Sequence, residues 1–242
     1  MTVSSCRPVA GRRPSLRTER QLQRDGYPMV VGMDEVGRGA LAGPVSVGVV
    51  ALDLTSRSAP AGVKDSKLLT PAARTTMVPK IQRWAVSWGV GHASPAEIDT
   101  WGIMTGLRLA GERALAACGV VPDLILLDGN HDWLTRPDRV GLLAFAEPAG
   151  RHASPVPAQA PVRTMVKADM RCSSVAAASV LAKVNRDRLM VDLHESHPCY
   201  RWNVNKGYAA PEHLAALREH GTCDHHRRSW NLTQATQEVG PK

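Results

Sequence analysis

Residues 29–52 read MVVGMDEVGRGALAGPVSVGVVAL, two β-branched runs separated by a bend rich in glycine and proline. That pattern predicts neighbouring antiparallel strands over MVVGM (29–33) and VSVGVVAL (45–52). Two acids, Asp34 and Glu35, close the first run and pass at once into Gly37-Arg38-Gly39. Neighbouring residues on a strand point to opposite faces, so these acids share a ligand only if the strand ends or bends at them. The glycines that follow make such a bend easy.

Working outward, a third strand is expected within WAVSWGVGHA (84–93). Thr70-Pro71 predicts an N-cap and a first-turn proline, opening a helix toward Trp84. Ser94-Pro95-Ala96-Glu97 has the same form with the reciprocal glutamate of a capping box, and helices follow to about Gly119. DLILLDG (123–129) is a short continuous apolar run, the form of a buried strand that delivers Asp128 at the sheet edge. The Pro-rich stretch 129–161 reads as a hairpin or long loop, and VRTMVKAD (162–169) as a strand ending at Asp169. Ser173 or Ser174 is placed to cap a helix through 175–193, whose Ala176-Ala177-Ala178-Ser179 face is small enough to press closely on a sheet. Beyond Pro198 the composition shifts to Trp, Asn, Lys, His and Arg, with a helix after Pro211. The fold class is therefore α/β: three antiparallel strands first, βα alternation later, helices on the sheet faces and a basic helical tail.

Composition is consistent with this. The 242 residues are 43% hydrophobic, enough for one substantial core and too apolar for a disordered chain. Thirty Lys plus Arg against 22 Asp plus Glu give a net charge of +8, which suits a polyanionic partner. Much of it lies in residues 1–27, which carry Arg7, Arg12, Arg13, Arg17, Arg20 and Arg24 without the apolar run of a signal peptide. That stretch reads as a disordered basic arm, an organellar transit peptide being the weaker alternative. Nothing approaches the roughly 20 apolar residues of a membrane helix, so a soluble, cytoplasmic protein is expected. The five cysteines are odd in number, widely spaced and without a Cys-x-x-Cys pair, which points to reduced thiols rather than disulfides or structural zinc. Cys223-Asp224-His225-His226 reads as a polar surface stretch, and His213, His225 and His226 as surface residues; the end, 231–242, reads as mobile.

Asp34, Glu35, Asp128 and Asp169 stand out because rigid strands deliver functional groups at their ends. Carboxylates gathered there repel one another unless a cation neutralises them, and hard oxygen ligands suit Mg²⁺ or Mn²⁺. Spacing alone does not decide this, since aspartate caps helices and fills turns routinely. Asp123 and Asp132 have such readings, and Asp187, a rival for the fourth carboxylate, is expected to face solvent or pair with Arg186 or Arg188. GRGALAG lacks the G-x-G-x-x-G spacing of a dinucleotide fingerprint.

The surrounding motifs add what spacing cannot. DEVGRG, Asp65-Ser66-Lys67, LLDG, VKAD, AAASVLAKVNRD and NKGY, in order over residues 29–230, together resemble the type 2 ribonucleases H. The resemblance implies a ribonuclease H-like mixed five-stranded sheet, with a catalytic domain over 28–195 and a helical substrate-binding extension over 196–242. It implies that Asp34, Glu35, Asp128 and Asp169 hold two Mn²⁺ or Mg²⁺ ions. Gly37-Arg38-Gly39 matches the turn that senses a ribose 2′-hydroxyl, Tyr208 the tyrosine that packs on the sugar, and Lys67 and Lys183 lie in motifs that run along nucleic acid. The implied activity is endonucleolytic: cutting RNA in RNA–DNA hybrids and nicking 5′ of single ribonucleotides in duplex DNA, by a monomer, in ribonucleotide excision and primer removal. Ala40 departs from the proline or cysteine of many relatives, and the 129–161 excursion is long. Type 3 ribonucleases H share the Asp-Glu-Val-Gly start, but Arg38 between two glycines favours type 2; intact carboxylates at all four positions argue against a non-catalytic hybrid binder.

Overall fold

The two β-branched runs pair as their sequence predicts. In a computed structural model that describes residues 13–136, 160–230 and 232, β1 (Val30–Val36) and β2 (Val45–Leu52) are antiparallel, with Val30 opposite Leu52 and Val36 opposite Ser46. β3 (Ser87–Ala93) pairs antiparallel with β2 on one side. On the other, β4 (Leu124–Asp128) runs parallel to β1 and β5 (Val162–Met165) parallel to β4, giving the order β3-β2-β1-β4-β5. The apolar LILL of β4 is buried on both faces, which is why it shows no alternation.

Strand alternation assigns each face its helix. Val31, Met33, Val47 and Val49 pack with Leu107, Ala110 and Ala114 of α3 (Pro95–Cys118). That helix opens on the expected Ser94/Glu97 capping box, is broken by Gly102 at φ 78°, and ends at Gly119 in the left-handed region. On the opposite face Val50 and Leu52 meet the small Ala176-Ala177-Ala178 run of α4 (Ser173–Ser196), with α2 (Pro71–Trp84) alongside and capped by Thr70 as expected. The approach of α4 is close: a Cβ at Gly48 would overlap the Ala178 carbonyl oxygen, and one at Gly32 would overlap Ser174. α4 is therefore fixed against the centre of the sheet, and so are the loops that enter and leave it.

Three expectations are corrected. The basic arm is not disordered throughout: α1 (Arg17–Arg24) lies within it, because Leu22 is buried beside Val30 and Leu124 and the Glu19 carboxylate accepts from both Ser174 N–H and Ser174 Oγ at 2.8 Å. Glu19 thus caps α4 from outside, while neither Ser173 nor Ser174 is its N-cap, which is Cys172. β5 stops at Met165 rather than Asp169; Lys167, at φ 57°, turns the chain into a 3₁₀ turn, Ala168–Met170, that carries Asp169. Residues 1–12, the 137–159 part of the Pro-rich stretch and most of the C-terminal end lie outside the described residues.

After α4 the chain forms a 3₁₀ turn (Pro198–Tyr200), α5 (Trp202–Asn205) and α6 (Pro211–His220). Tyr200, Trp202, Leu214 and Leu217 bury a separate cluster with Met190 of α4 and with Leu41 and Ala42 from the β1–β2 bend. The tail is therefore attached to the bend that follows the two acids. Among the described residues Cys118, Cys172, Cys199 and Cys223 are free, and no helix is long and apolar enough to cross a membrane.

Candidate functional site

β1 does not end at its acids: its pairing with β2 runs on, with Asp34 opposite Gly48, Glu35 opposite Val47 and Val36 opposite Ser46. The opening arises on the other side. Pairing with β4 stops at Met33 opposite Leu127, so beyond it β1 has a hydrogen-bonded neighbour on one edge only. Asp128, the last residue of β4, stands at that gap, and its Oδ1 accepts the Ala168 N–H at 2.6 Å, which draws the 3₁₀ turn bearing Asp169 against the strand end. Asp34, Glu35, Asp128 and Asp169 are thereby brought together, as expected.

Their electrostatics are those of a crowded, half-desolvated anion cluster. Asp34 is only 7% exposed. Burial, then repulsion from Glu35, Asp128 and Asp169, holds its pKa well above the usual carboxylate range against the pull of Lys67. Burial also raises Glu35, with Arg38 opposing and Asp128 adding to the shift. Asp169 is pushed up to about 6 by burial and by Asp128 and Asp65. Glu35 Oε2 is buried with no hydrogen-bond partner among the described residues, a cost that a ligand would remove. Uncompensated oxygen donors of this kind fit a hard divalent cation. Among the described residues no three His, Cys, Asp or Glu side chains lie close enough together to form a metal-holding group as they stand.

Two cations, Lys67 and Arg38, lie beside the acids. Lys67 Nζ, 79% exposed, lies 3.9 Å from Asp169 Oδ2, its turn held by Asp65, whose side chain accepts the Lys67 N–H at 3.0 Å. Arg38 Nη1 lies 3.9 Å from Glu35 Oε1. Lys183 donates to Asp187 at 2.7 Å and sits 5.9 Å from the Tyr208 ring centroid. Asp187 thus pairs with Lys183 and, at 3.7 Å, with Arg74, not with Arg186 or Arg188.

Residues 37–40 form a tight turn closed by the Ala40 N–H on the Gly37 carbonyl at 3.2 Å. Its two glycines serve different ends. Gly37 has φ 83° and a Cβ there would overlap the Arg186 guanidinium, so its smallness serves packing; Gly39 is exposed with nothing near the position of a Cβ. Tyr208 is set beside the turn because the Gly207 carbonyl accepts from the N–H groups of Leu41 and Ala42, at 2.8 and 3.2 Å. Its ring lies 5.3 Å from the Arg186 guanidinium.

Sequence reasoning missed the buried side of the site. Arg186 and Arg227 are both fully buried, although a His-His-Arg-Arg run reads as solvated surface. His213 and His226 are buried too, correcting the surface assignment: His226 lies 4.6 Å from the Tyr200 ring and 5.4 Å from Trp202, centroid to centroid. Only the density of aromatic, histidine and arginine residues after Pro198 signals this.

The sequence model of the family described as ribonuclease HII matches residues 31–233. The ribonuclease HII of Streptomyces coelicolor is 44% identical over 223 residues, covering 92% of this chain and 85% of that protein. That of Nitrosococcus oceani is 44% identical over 201 residues, covering 83% of this chain and 88% of that protein. The crystal structure of the ribonuclease H2 from Pyrococcus horikoshii OT3 superposes with a TM-score of 0.66 at 25% identity, covering 86% of this chain and 97% of that one. With the sheet order, the four acids and the glycine turn already in place, this chain belongs to the ribonuclease HII family of endoribonucleases.

Proposed function

We propose that this chain hydrolyses the RNA strand of RNA–DNA hybrids and nicks duplex DNA on the 5′ side of a single embedded ribonucleotide, leaving 3′-OH and 5′-phosphate ends. The observation that carries this reading is the convergence of Asp34, Glu35, Asp128 and Asp169 at the end of β1 that runs into the glycine turn, with Tyr208 tied to the same bend through Gly207. The four carboxylates would hold two Mg²⁺ or Mn²⁺ ions, which when bound supply an activated water and charge stabilisation at the leaving oxygen. The remaining tasks belong to the chain. Gly39 and Arg38 offer exposed backbone and a guanidinium to the 2′-hydroxyl and an adjacent phosphate, the hydroxyl being the one group that separates RNA from DNA. The Tyr208 ring packs on the sugar, and Lys67, beside Asp169, and Lys183, near the Tyr208 ring, serve phosphates of the nucleic acid. The partner is nucleic acid, the working form a monomer, and the setting ribonucleotide excision and primer removal in the cytoplasm.

The test is a DNA duplex with one ribonucleotide beside a uniform RNA–DNA hybrid, each incubated with Mg²⁺ or Mn²⁺. Both should be cut, the former at one site 5′ of the ribonucleotide, and chelation of the metal should stop both reactions. A chain that cuts the hybrid but leaves the single ribonucleotide intact would instead be acting as a type 3 enzyme does.

A further inference from the structure

The turn at residues 37–40 is gripped from beneath by a side chain far away in sequence. Arg227 Nη2 donates to the Gly37 carbonyl at 2.6 Å and Nη1 to the Arg38 carbonyl at 2.8 Å, while Nη2 and Nε reach the Gly43 carbonyl at 3.2 and 3.3 Å. The guanidinium is fully buried, and every acceptor it meets is a backbone carbonyl. Burying a charge without a carboxylate partner is costly, so the arrangement trades stability for geometry. Arg186 sits beside it on the same terms, donating to the carbonyls of Pro44, Ala42 and Lys206 at 2.8, 3.1 and 2.9 Å. The segment that carries Arg227 is itself fixed: its N–H donates to the Leu41 carbonyl at 2.9 Å, and the next two residues donate their N–H groups to Asp99 at 2.9 and 3.0 Å.

This grip has a stereochemical consequence. A trans peptide is planar, with its carbonyl and the following N–H pointing opposite ways, and no peptide here is cis. With the Gly37 and Arg38 carbonyls drawn inward by Arg227, the N–H groups of Arg38 and Gly39 are turned outward. Both residues are exposed, and neither N–H donates a hydrogen bond within the described residues. An exposed pair of adjacent N–H donors beside four carboxylates is placed to meet an oxygen acceptor on a nucleotide sugar.

We propose that Arg227 is a specificity-determining positioning residue: by holding the Gly37 and Arg38 carbonyls it presents the Arg38 and Gly39 N–H groups as paired donors to the 2′-oxygen of the ribonucleotide. The inference rests on the proposed function of this site and adds the residue that sets its selectivity. Lysine can keep the charge at this position but cannot span three carbonyls with one ammonium, so Arg227→Lys separates geometry from charge.

The experiment compares binding in an Asp128→Asn background with Mg²⁺, using one duplex containing a single ribonucleotide and an all-DNA duplex of the same sequence. Arg227→Lys should lower the ratio of the two dissociation constants about tenfold, the worth of one or two neutral hydrogen bonds, and leave affinity for the all-DNA duplex unchanged. A ratio preserved within about twofold, whatever happens to the melting temperature, overturns the proposal. Should Arg227→Lys fail to fold, amide exchange in the Asp128→Asn protein decides: the Arg38 and Gly39 amides should be protected by the ribonucleotide duplex and not by DNA, and equal exchange in both refutes the assignment. If the unsubstituted chain neither nicks nor discriminates, the functional reading itself fails; discrimination that survives Arg227→Lys removes this inference alone.

Discussion

The carboxylate cluster and the turn beside it share one end of the sheet and are built on opposite principles. At the cluster, like charges are buried together and Glu35 Oε2 has no hydrogen-bond partner among the described residues. At the turn, Arg186 and Arg227 make seven hydrogen bonds to backbone carbonyls. Bonding is left incomplete at the proposed ion site, whereas the carbonyls of the bend are bonded where a backbone must stay put. Both regions are expensive to bury, so the difference lies in what each cost secures: reactivity in one, shape in the other.

The largest effect should come from removing one charge of the cluster. Asp34→Asn keeps the shape, and its Oδ1 can still accept the Glu35 N–H at 2.8 Å, but it removes a carboxylate from the proposed ion site. Cleavage should fall by about 10³-fold or more, a loss typical of removing one key electrostatic group. The same change relieves buried repulsion, so without divalent metal the variant should melt a few degrees higher than the parent, as about 1 kcal/mol implies for a chain of this size. A variant that loses activity and also melts lower would mean that the cluster is a structural network rather than a strained site.

Next in size is the contrast between the two glycines. Gly37→Ala drives a Cβ into Arg186 at a left-handed φ, and should destabilise the fold by about 2–4 kcal/mol. Gly39→Ala meets nothing among the described residues and should change stability by less than about 0.5 kcal/mol while weakening selectivity for a ribonucleotide. Denaturant melts of both variants check this, and equal costs would erase the distinction between a packing glycine and a contact glycine. Smaller again, Tyr208→Ala should cut single-ribonucleotide cleavage about tenfold, the worth of one ring packed on a sugar, and cleavage of long hybrids less. Steady-state kcat/KM on the two substrates reads this out, and equal losses would remove the sugar-packing role.

How much of this was legible in sequence follows the same divide. Asp34 and Asp128 could be found because each closes an apolar run, so local pattern alone marks a strand delivering an acid. Asp169 was found in kind but misplaced in structure, since the left-handed Lys167 that ends β5 early carries no local signal of the glycine or asparagine sort. The clamp could not be read at all. Arg227 meets Gly37 across 190 residues, and Glu19 meets Ser174 across 155; burial of a charged side chain is decided by such distant partners, whereas a His-Arg run by itself looks like solvated surface. The incomplete region announces itself by unusual residues at ordinary places, the completed one by ordinary residues whose bonds only the fold supplies.

The smallest effect tests whether the completed side is as closed as its geometry implies. His213 Nδ1 lies 2.8 Å from the Tyr208 carbonyl, which can only accept, so that nitrogen must carry the proton. His226 Nδ1 accepts the Cys223 N–H at 3.0 Å, so its proton is on Nε2, which then donates to His213 Nε2 at 3.1 Å. The chain from Cys223 to Tyr208 therefore works only with both imidazoles neutral; a second proton on either sets N–H against N–H. Burial, then the neighbouring His213, lowers His226 to about 4, and burial lowers His213 as well; His225 and His197 add to the pressure on His226. A histidine lowered on folding binds more protons in the unfolded chain, so its contribution is intact above about pH 6.5 and is lost as pH falls toward 4. Between about pH 7 and 5.5 the folded protein should lose on the order of 1 kcal/mol from His226 alone. His226→Gln, which does not titrate, should be less stable at neutral pH yet lose less on acidification. If parent and variant fall in parallel, the pair is not neutral in the folded protein, and the turn and Tyr208 are held by something other than this relay.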